Sequence, residues 1–149
     1  MGRDKHNEAR KEQFAKMLRA TMETPAWRAL SVHAQALYPW VKLEWKGPKS
    51  NNNGAIQLSV RQAQDLLGCS KDTAAKSFRD LQAKGFLQVT QKAVLGITGT
   101  ARCNQYELTE IAMPGDKMRP RNLFRKWRQD QDFPVANIRT NNPTGRNGK

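Results

Sequence analysis

The sequence predicts an α+β domain in which short helices pack on one face of a small antiparallel sheet. Two observations carry that prediction. From Ala26 to Lys84, apolar residues recur at helical spacing in segments bounded by Ser caps, Gly and Pro. After Gly85 the period changes to alternation in FLQVTQK (86–92) and NQYELTE (104–110), joined by a segment with two glycines.

Along the chain, residues 1–24 read as a charged amphipathic helix. Phe14, Met17, Leu18 and Met22 share a stripe, and Glu12 and Lys16 form an i,i+4 pair. Such a helix suits docking on the domain or on a second protomer, which would make a homodimer. A helical pattern then runs from Ala26 to Trp45. Ser31 can cap its second part, and a kink or break is expected at Pro39. Trp27, Tyr38, Trp40 and Trp45 read as core aromatics. KGPKSNNNG (46–54) is a loop by composition, and AIQL (55–58) a short strand candidate.

Ser59 opens SVRQAQDLLG, a short helix with Ala63, Leu66 and Leu67 facing inward and Gly68 as a left-handed stop. Only Cys69 separates that stop from Ser70, which caps the next helix. In SKDTAAKSFRDLQAKGFLQVT (70–90), Ala74, Phe78 and Leu81 mark a buried face and Gly85 ends the helix. Two short helices joined by a tight Gly-containing turn are the helix-turn-helix pattern. Followed by a two-stranded hairpin, they give the order of a winged helix-turn-helix: a three-helix core with a small β-hairpin wing.

The chain thus divides into an N-terminal helix (1–24), a winged helix-turn-helix domain (25–111) and a basic C-terminal extension (112–149). The extension holds nine Lys or Arg against three Asp. RNLFRKWRQ within it can form a short helix with Leu123, Phe124 and Trp127 on one side, whereas IRTNNPTGRNGK is too polar and turn-rich to fold alone.

Charge narrows the function. Twenty-six Lys and Arg against 13 Asp and Glu leave a net +13, which an anionic partner would offset, nucleic acid being the commonest. No apolar run approaches the roughly 18 residues of a membrane span, so no membrane partner is expected. Cys69 and Cys103, without CxxC or a nearby His, argue against a metal site or a disulfide framework. The opening MGRDKHNEARKEQ lacks the apolar stretch of a signal peptide, so a cytoplasmic, nucleoid-associated protein is expected. His6 and His33 lie in unrelated contexts, with no nucleophile motif, carboxylate pair or phosphate loop. No enzyme and no cofactor are therefore expected.

In a helix-turn-helix the first turn of the second helix meets base edges in the major groove. Here that turn offers Ser70, Lys71, Asp72 and Thr73, with Lys76 one turn on. Lys can donate to guanine, Asp can accept from cytosine N4, and Thr can meet a thymine methyl or a phosphate. Arg61 and Gln62 suit backbone or flanking contacts. Arg79 belongs with them, and Arg79, Asp80 and Lys84 are expected to face solvent or phosphate. In the wing only Lys92 and Arg102 are basic, and its apolar tip AVLGIT suits a neighbour or DNA equally. In the extension, Arg121, Arg125, Lys126 and Arg128 suit phosphate contacts, while Phe124 and Trp127 suit docking on the domain or on a partner protein.

LSVRQAQDLLGCSKDTAAKSFRDLQAKGFL (58–87) resembles the winged helix-turn-helix of bacterial regulators, nearest to the GntR-type pattern. That pattern has a strand leading into an Arg-containing helix, an LG turn, a Ser/Thr-capped helix and a Gly-Phe exit. Similar segments occur in plasmid and phage replication initiators. The resemblance implies that Arg61, Lys71, Asp72 and Thr73 meet DNA. It departs at Ala75, where many GntR-type domains carry a basic residue, and no ligand-sized second domain follows the wing. The expected function is sequence-specific binding of double-stranded DNA by a transcriptional regulator of bacterial, plasmid or phage type. Alternatives are a replication-initiation, recombination or architectural factor, or a winged-helix protein-interaction module.

Overall fold

Thr24, Ser31, Ser59 and Ser70 each sit in extended backbone one residue ahead of a helix. Each side-chain oxygen accepts a hydrogen bond from the backbone N–H three residues on. These caps start α2 (Pro25–Ala29), α3 (Val32–Leu43), α4 (Val60–Leu67) and α5 (Lys71–Ala83), after a short α1 (Arg19–Met22). The computed structural model describes residues 12–93, 103–115 and 119–136. Its strands are β1 (Ile56–Gln57), β2 (Leu87–Gln91) and β3 (Gln105–Leu108), with 3-10 turns at Pro48–Ser50 and Leu123–Lys126. Helices and a small antiparallel sheet share one core, an α+β arrangement. No helix among the described residues is long and apolar enough to cross a membrane.

The N-terminal segment departs from expectation. Residues 12–18 are not helical and only Arg19–Met22 is, so the long amphipathic helix and its Glu12–Lys16 pair do not form over these residues. The physical reason is a competing donor. Lys42, buried on α3, donates to the Lys16 carbonyl and pairs with the buried Glu110 carboxylate. Met17 packs on the core, while Phe14 is 84% exposed. Residues 1–11 lie outside the described part.

The break expected at Pro39 falls earlier, at Leu30, whose backbone is extended before the Ser31 cap. α3 runs through Pro39. Burial of Ala34, Leu37, Tyr38 and Val41 on one face offsets the roughly 3 kcal/mol a helix-interior proline costs. Leu66, expected to face inward, is 41% exposed, so α4 is held by Ala63 and Leu67.

The sheet has the order β1-β3-β2, all antiparallel, so β3 is central and the pairing is more than a hairpin. Ile56 and Val89 flank Tyr106, Leu87 faces Leu108, and the register shifts between Val89 and Gln91. The loop read from composition at 46–54 is a structural clamp. Buried Asn53 donates to the carbonyls of Leu108 at 3.0 Å and Ile111 at 2.7 Å, and accepts from the Leu108 N–H at 2.7 Å. A side-chain amide thereby satisfies backbone groups where β3 ends.

The core centres on Phe86. Its ring meets Trp27 at 5.7 Å and Tyr38 at 5.3 Å edge-on, and stacks on Phe124 at 4.7 Å. Phe124 and Trp127 are buried and Phe133 packs beside them, so the extension expected from 112 onward docks on the core through these three rings, with most of its other described residues exposed. Its central turn is 3-10, with Asn122 left-handed ahead of it, in place of the expected helix. Asn122 N–H donates to the Thr109 carbonyl at 2.7 Å and Phe133 N–H to Ala83 at 2.9 Å. IRTNNPTGRNGK (138–149) lies outside the described residues, as do residues 94–98 of the wing tip and Arg102.

Gly85 is where these parts meet. It has φ +85°, and a Cβ there would lie 2.9 Å from backbone atoms of Leu123 and Phe124. Gly85→Ala is expected to cost at least about 1–2 kcal/mol from the left-handed backbone alone. A lowered urea midpoint and faster proteolysis within 119–136 would report it.

The chain has two tyrosines, both buried. Burial raises the Tyr38 phenol well above its usual value, helped by the Glu110 carboxylate that its hydroxyl donates to. Burial likewise pushes Tyr106 up to about 12. With folded values above unfolded ones, this stability is full below pH 10 and is lost as pH rises through the folded values. Phenolate absorbance is thus expected only above pH 10, together with loss of circular dichroism. A titration finished by pH 10.5 in folded protein would contradict this burial.

Candidate nucleic-acid interface

The pair α4–α5 is built by local chemistry. Ser59 and Gln62 form a reciprocal capping box, with Gln62 N–H donating to Ser59 at 3.0 Å and Ser59 N–H to Gln62 Oε1 at 2.9 Å. Gly68 closes α4 in the left-handed conformation, φ 62° and ψ 37°. Gly68 and Cys69 N–H groups both reach the Gln64 carbonyl, at 2.9 and 3.3 Å. Ser70 then restarts the helix. The intervening turn is as short as the sequence requires.

α5 buries Ala74, Ser77, Phe78, Leu81 and Gln82. Its outward side presents Lys71, Asp72, Lys76 and Arg79, all exposed. Asp72, Lys76 and Arg79 fall at i, i+4 and i+7, one continuous stripe. Asp72 also complements the positive end of the helix dipole. Ser70 faces inward chemically: its hydroxyl accepts from Thr73 N–H at 3.2 Å and donates to the Thr73 hydroxyl at 2.9 Å. Thr73 is half-buried. The first turn therefore offers two free charged side chains, Lys71 and Asp72, with Thr73 beside them.

On α4, Arg61 and Gln62 are exposed at the start of the helix, although the Gln62 carbonyl is occupied by the capping box. Lys92 is exposed just past β2. Arg102 lies outside the described residues. Asp80 and Lys84, expected to face solvent or phosphate, instead pair with each other at 3.0 Å in a largely buried setting. Asp80 also accepts the Ser31 N–H at 2.7 Å, pinning the start of α3 to α5. Lys84 lies 5.7 Å over the Trp127 ring. The Asp80–Ser31 contact joins residues 49 apart in the chain, and no local pattern signals it.

The four tail candidates divide. Arg121 is engaged: it pairs with Glu107, whose side chain is 5% exposed, and donates to Gln88. Arg128 donates to the Arg125 and Trp127 carbonyls but is exposed. Arg125 and Lys126 are exposed, Arg125 lying 5.5 Å over the Phe124 ring. Phe124 and Trp127, the aromatics suited to docking on the domain or on a partner protein, dock on the domain, buried in the chain's own core.

Comparison with protein-family models, with curated proteins and with solved structures returns no match.

Because Arg121 neutralises a carboxylate buried on the central strand, Arg121→Ala is expected to destabilise the fold by about 1–3 kcal/mol. Chemical denaturation measures it. An unchanged midpoint would return Arg121 to the pool of free surface cations.

Proposed function

We propose that this chain is a winged helix-turn-helix protein that binds double-stranded DNA sequence-specifically, as a transcriptional regulator of bacterial, plasmid or phage type. One observation carries the reading. α5 opens directly after a three-residue turn from α4, its first turn bearing exposed Lys71 and Asp72, in a chain of net charge +13. The order α3, β1, α4, α5, β2, β3 supports it, since it is the order of a three-helix core followed by a wing.

In this reading the N-terminal turn of α5 enters the major groove. Lys71 donates to guanine O6 or N7, Asp72 accepts from cytosine N4, and Thr73 meets a thymine methyl. Lys76 reaches the next base or its phosphate. Arg61, Gln62, Arg79 and Lys92 grip the backbone to either side, and Arg125, Lys126 and Arg128 add salt-sensitive affinity. Ser70 shapes the turn from within. Catalysis plays no part, and no cofactor is needed.

Selection of bound sequences from random duplex DNA tests this. The wild-type chain is expected to enrich one motif, and the Lys71→Ala, Thr73→Ala double variant to lose preference at two or three positions. The same enriched motif from both proteins would exclude α5 as the reader. The motif also reports symmetry: palindromic half-sites about one helical turn apart mark a dimer.

A further inference from the structure

α3 has no charged side. Of its twelve residues only Lys42 carries a charge, and Lys42 is buried with Ala34, Leu37, Tyr38 and Val41 on the side turned to the core. The opposite side carries Val32, Ala36, Pro39 and Leu43 at i, i+4, i+7 and i+11, with Trp40 at its edge. Val32 is 78% exposed and Trp40 39%; Ala36 between them is exposed, and Pro39 and Leu43 are half-buried. Exposed His33 and half-buried Gln35 border this stripe without adding a formal charge. A surface helix ordinarily turns charged residues to water, and one that is apolar on both sides is covered by a neighbour. In a chain that is 26% charged, a bare helix side of this length departs from the composition around it.

Electrostatics favours one kind of neighbour. An acidic partner would gain more from other parts of a molecule of net charge +13, and DNA would find no cation here. An uncharged face matters most to a partner of the same charge, because there the two can touch without setting cation against cation. A second copy of the chain is such a partner. The nearest charges along the chain, exposed Arg28 before α3 and exposed Glu44 after it, are opposite in sign, with exposed Lys46 two residues further on. With two copies antiparallel, the Arg28 end of one lies at the Glu44 end of the other, an arrangement the helix dipoles also favour.

The stripe is self-complementary in spacing. Val32 and Trp40 stand four residues either side of Ala36. A two-fold axis through Ala36 therefore sets Val32 of one copy against Trp40 of the other, twice. Ala36, the smallest side chain of the stripe, lets the backbones approach to the roughly 8–10 Å of packed helices. The contact is small, since α3 is about 18 Å long at 1.5 Å per residue. Interfaces below about 1,200 Å² in total are transient, and this one belongs with them.

We propose that the outer side of α3 pairs with the same side of a second copy, antiparallel about Ala36, in a weak two-fold dimer. The inference stands independently of the DNA-binding reading, although such a dimer would relate two reader helices by the same axis.

Sedimentation velocity of the full chain from about 5 to 200 μM tests it. The weight-average mass is expected to climb from that of one chain towards that of two. It is expected to climb further at about 0.5 M salt than at about 0.05 M, because screening removes the repulsion between like charges. Association that weakens with salt would mark an ionic contact and overturn the inference, as would a wild-type chain that stays monomeric throughout. Ala36→Glu and Trp40→Glu are expected to remain monomeric, with the circular dichroism and urea midpoint of wild type. Dimerisation by either folded variant would place the contact elsewhere. A second readout needs no loss of binding. In a Cys69→Ser, Cys103→Ser background under mild oxidation, Ala36→Cys is expected to crosslink two copies at least about tenfold faster than Gln57→Cys on β1, because a residue on the axis meets its own copy. Equal rates would exclude this axis.

Discussion

One aromatic ring organises this molecule. Phe86, the first residue after the turn that ends α5, is touched from three sides by Trp27 of α2, Tyr38 of α3 and Phe124 of the C-terminal segment. Elements distant in sequence thus meet on a single side chain placed directly behind the candidate reader helix. Gly85 makes the placement possible. It turns the chain through a left-handed conformation and leaves room for the Leu123–Phe124 backbone, so ring and helix end are fixed together. The C-terminal end of α5 is therefore fixed by aromatic packing, its length by Ala74, Phe78 and Leu81 in the core, while Lys71 and Asp72 of its first turn stay exposed.

Buried polar groups complete that frame. Asn53 closes the end of the central strand, and the Lys42–Glu110 pair ties α3 to the turn after β3 and to the carbonyl of Lys16. Each is expensive to bury alone and is satisfied here from several sides. Replacing one partner would leave the others desolvated and unpaired. Such groups specify which elements adjoin, whereas the apolar core supplies the bulk of the stability.

Much of the fold was legible in the sequence, and the reason is physical. Caps and stops are local: Ser59, Gly68, Ser70 and Gly85 each act within a few residues, so their spacing is written in order. The sequence alternates at 87–91 and 105–108, which places Leu87, Tyr106 and Leu108 in the core, while Glu107 on the other face of β3 is buried beneath Arg121. What was illegible is non-local. Nothing near Arg121 announces Glu107, nothing near Asp80 announces Ser31, and the NNN run looks like any solvated loop until β3 is placed beside it. The N-terminal stripe misled because helical spacing alone is a weak constraint when a buried lysine takes the backbone carbonyl. Of the candidate site, the residues of α5 were readable as a face. Which tail arginines are engaged within the protein was not.

The range of these contacts also orders assembly. The capping box and the Gly68 stop close over three or four residues, so α4 and α5 can form with little loop entropy to overcome. Asn53 reaches Leu108 across 55 residues. Tyr38 and Lys42 reach Glu110 across 72 and 68 residues, further still. The face proposed to meet DNA is therefore shaped by short-range contacts, whereas the frame behind it is closed by long-range polar ones.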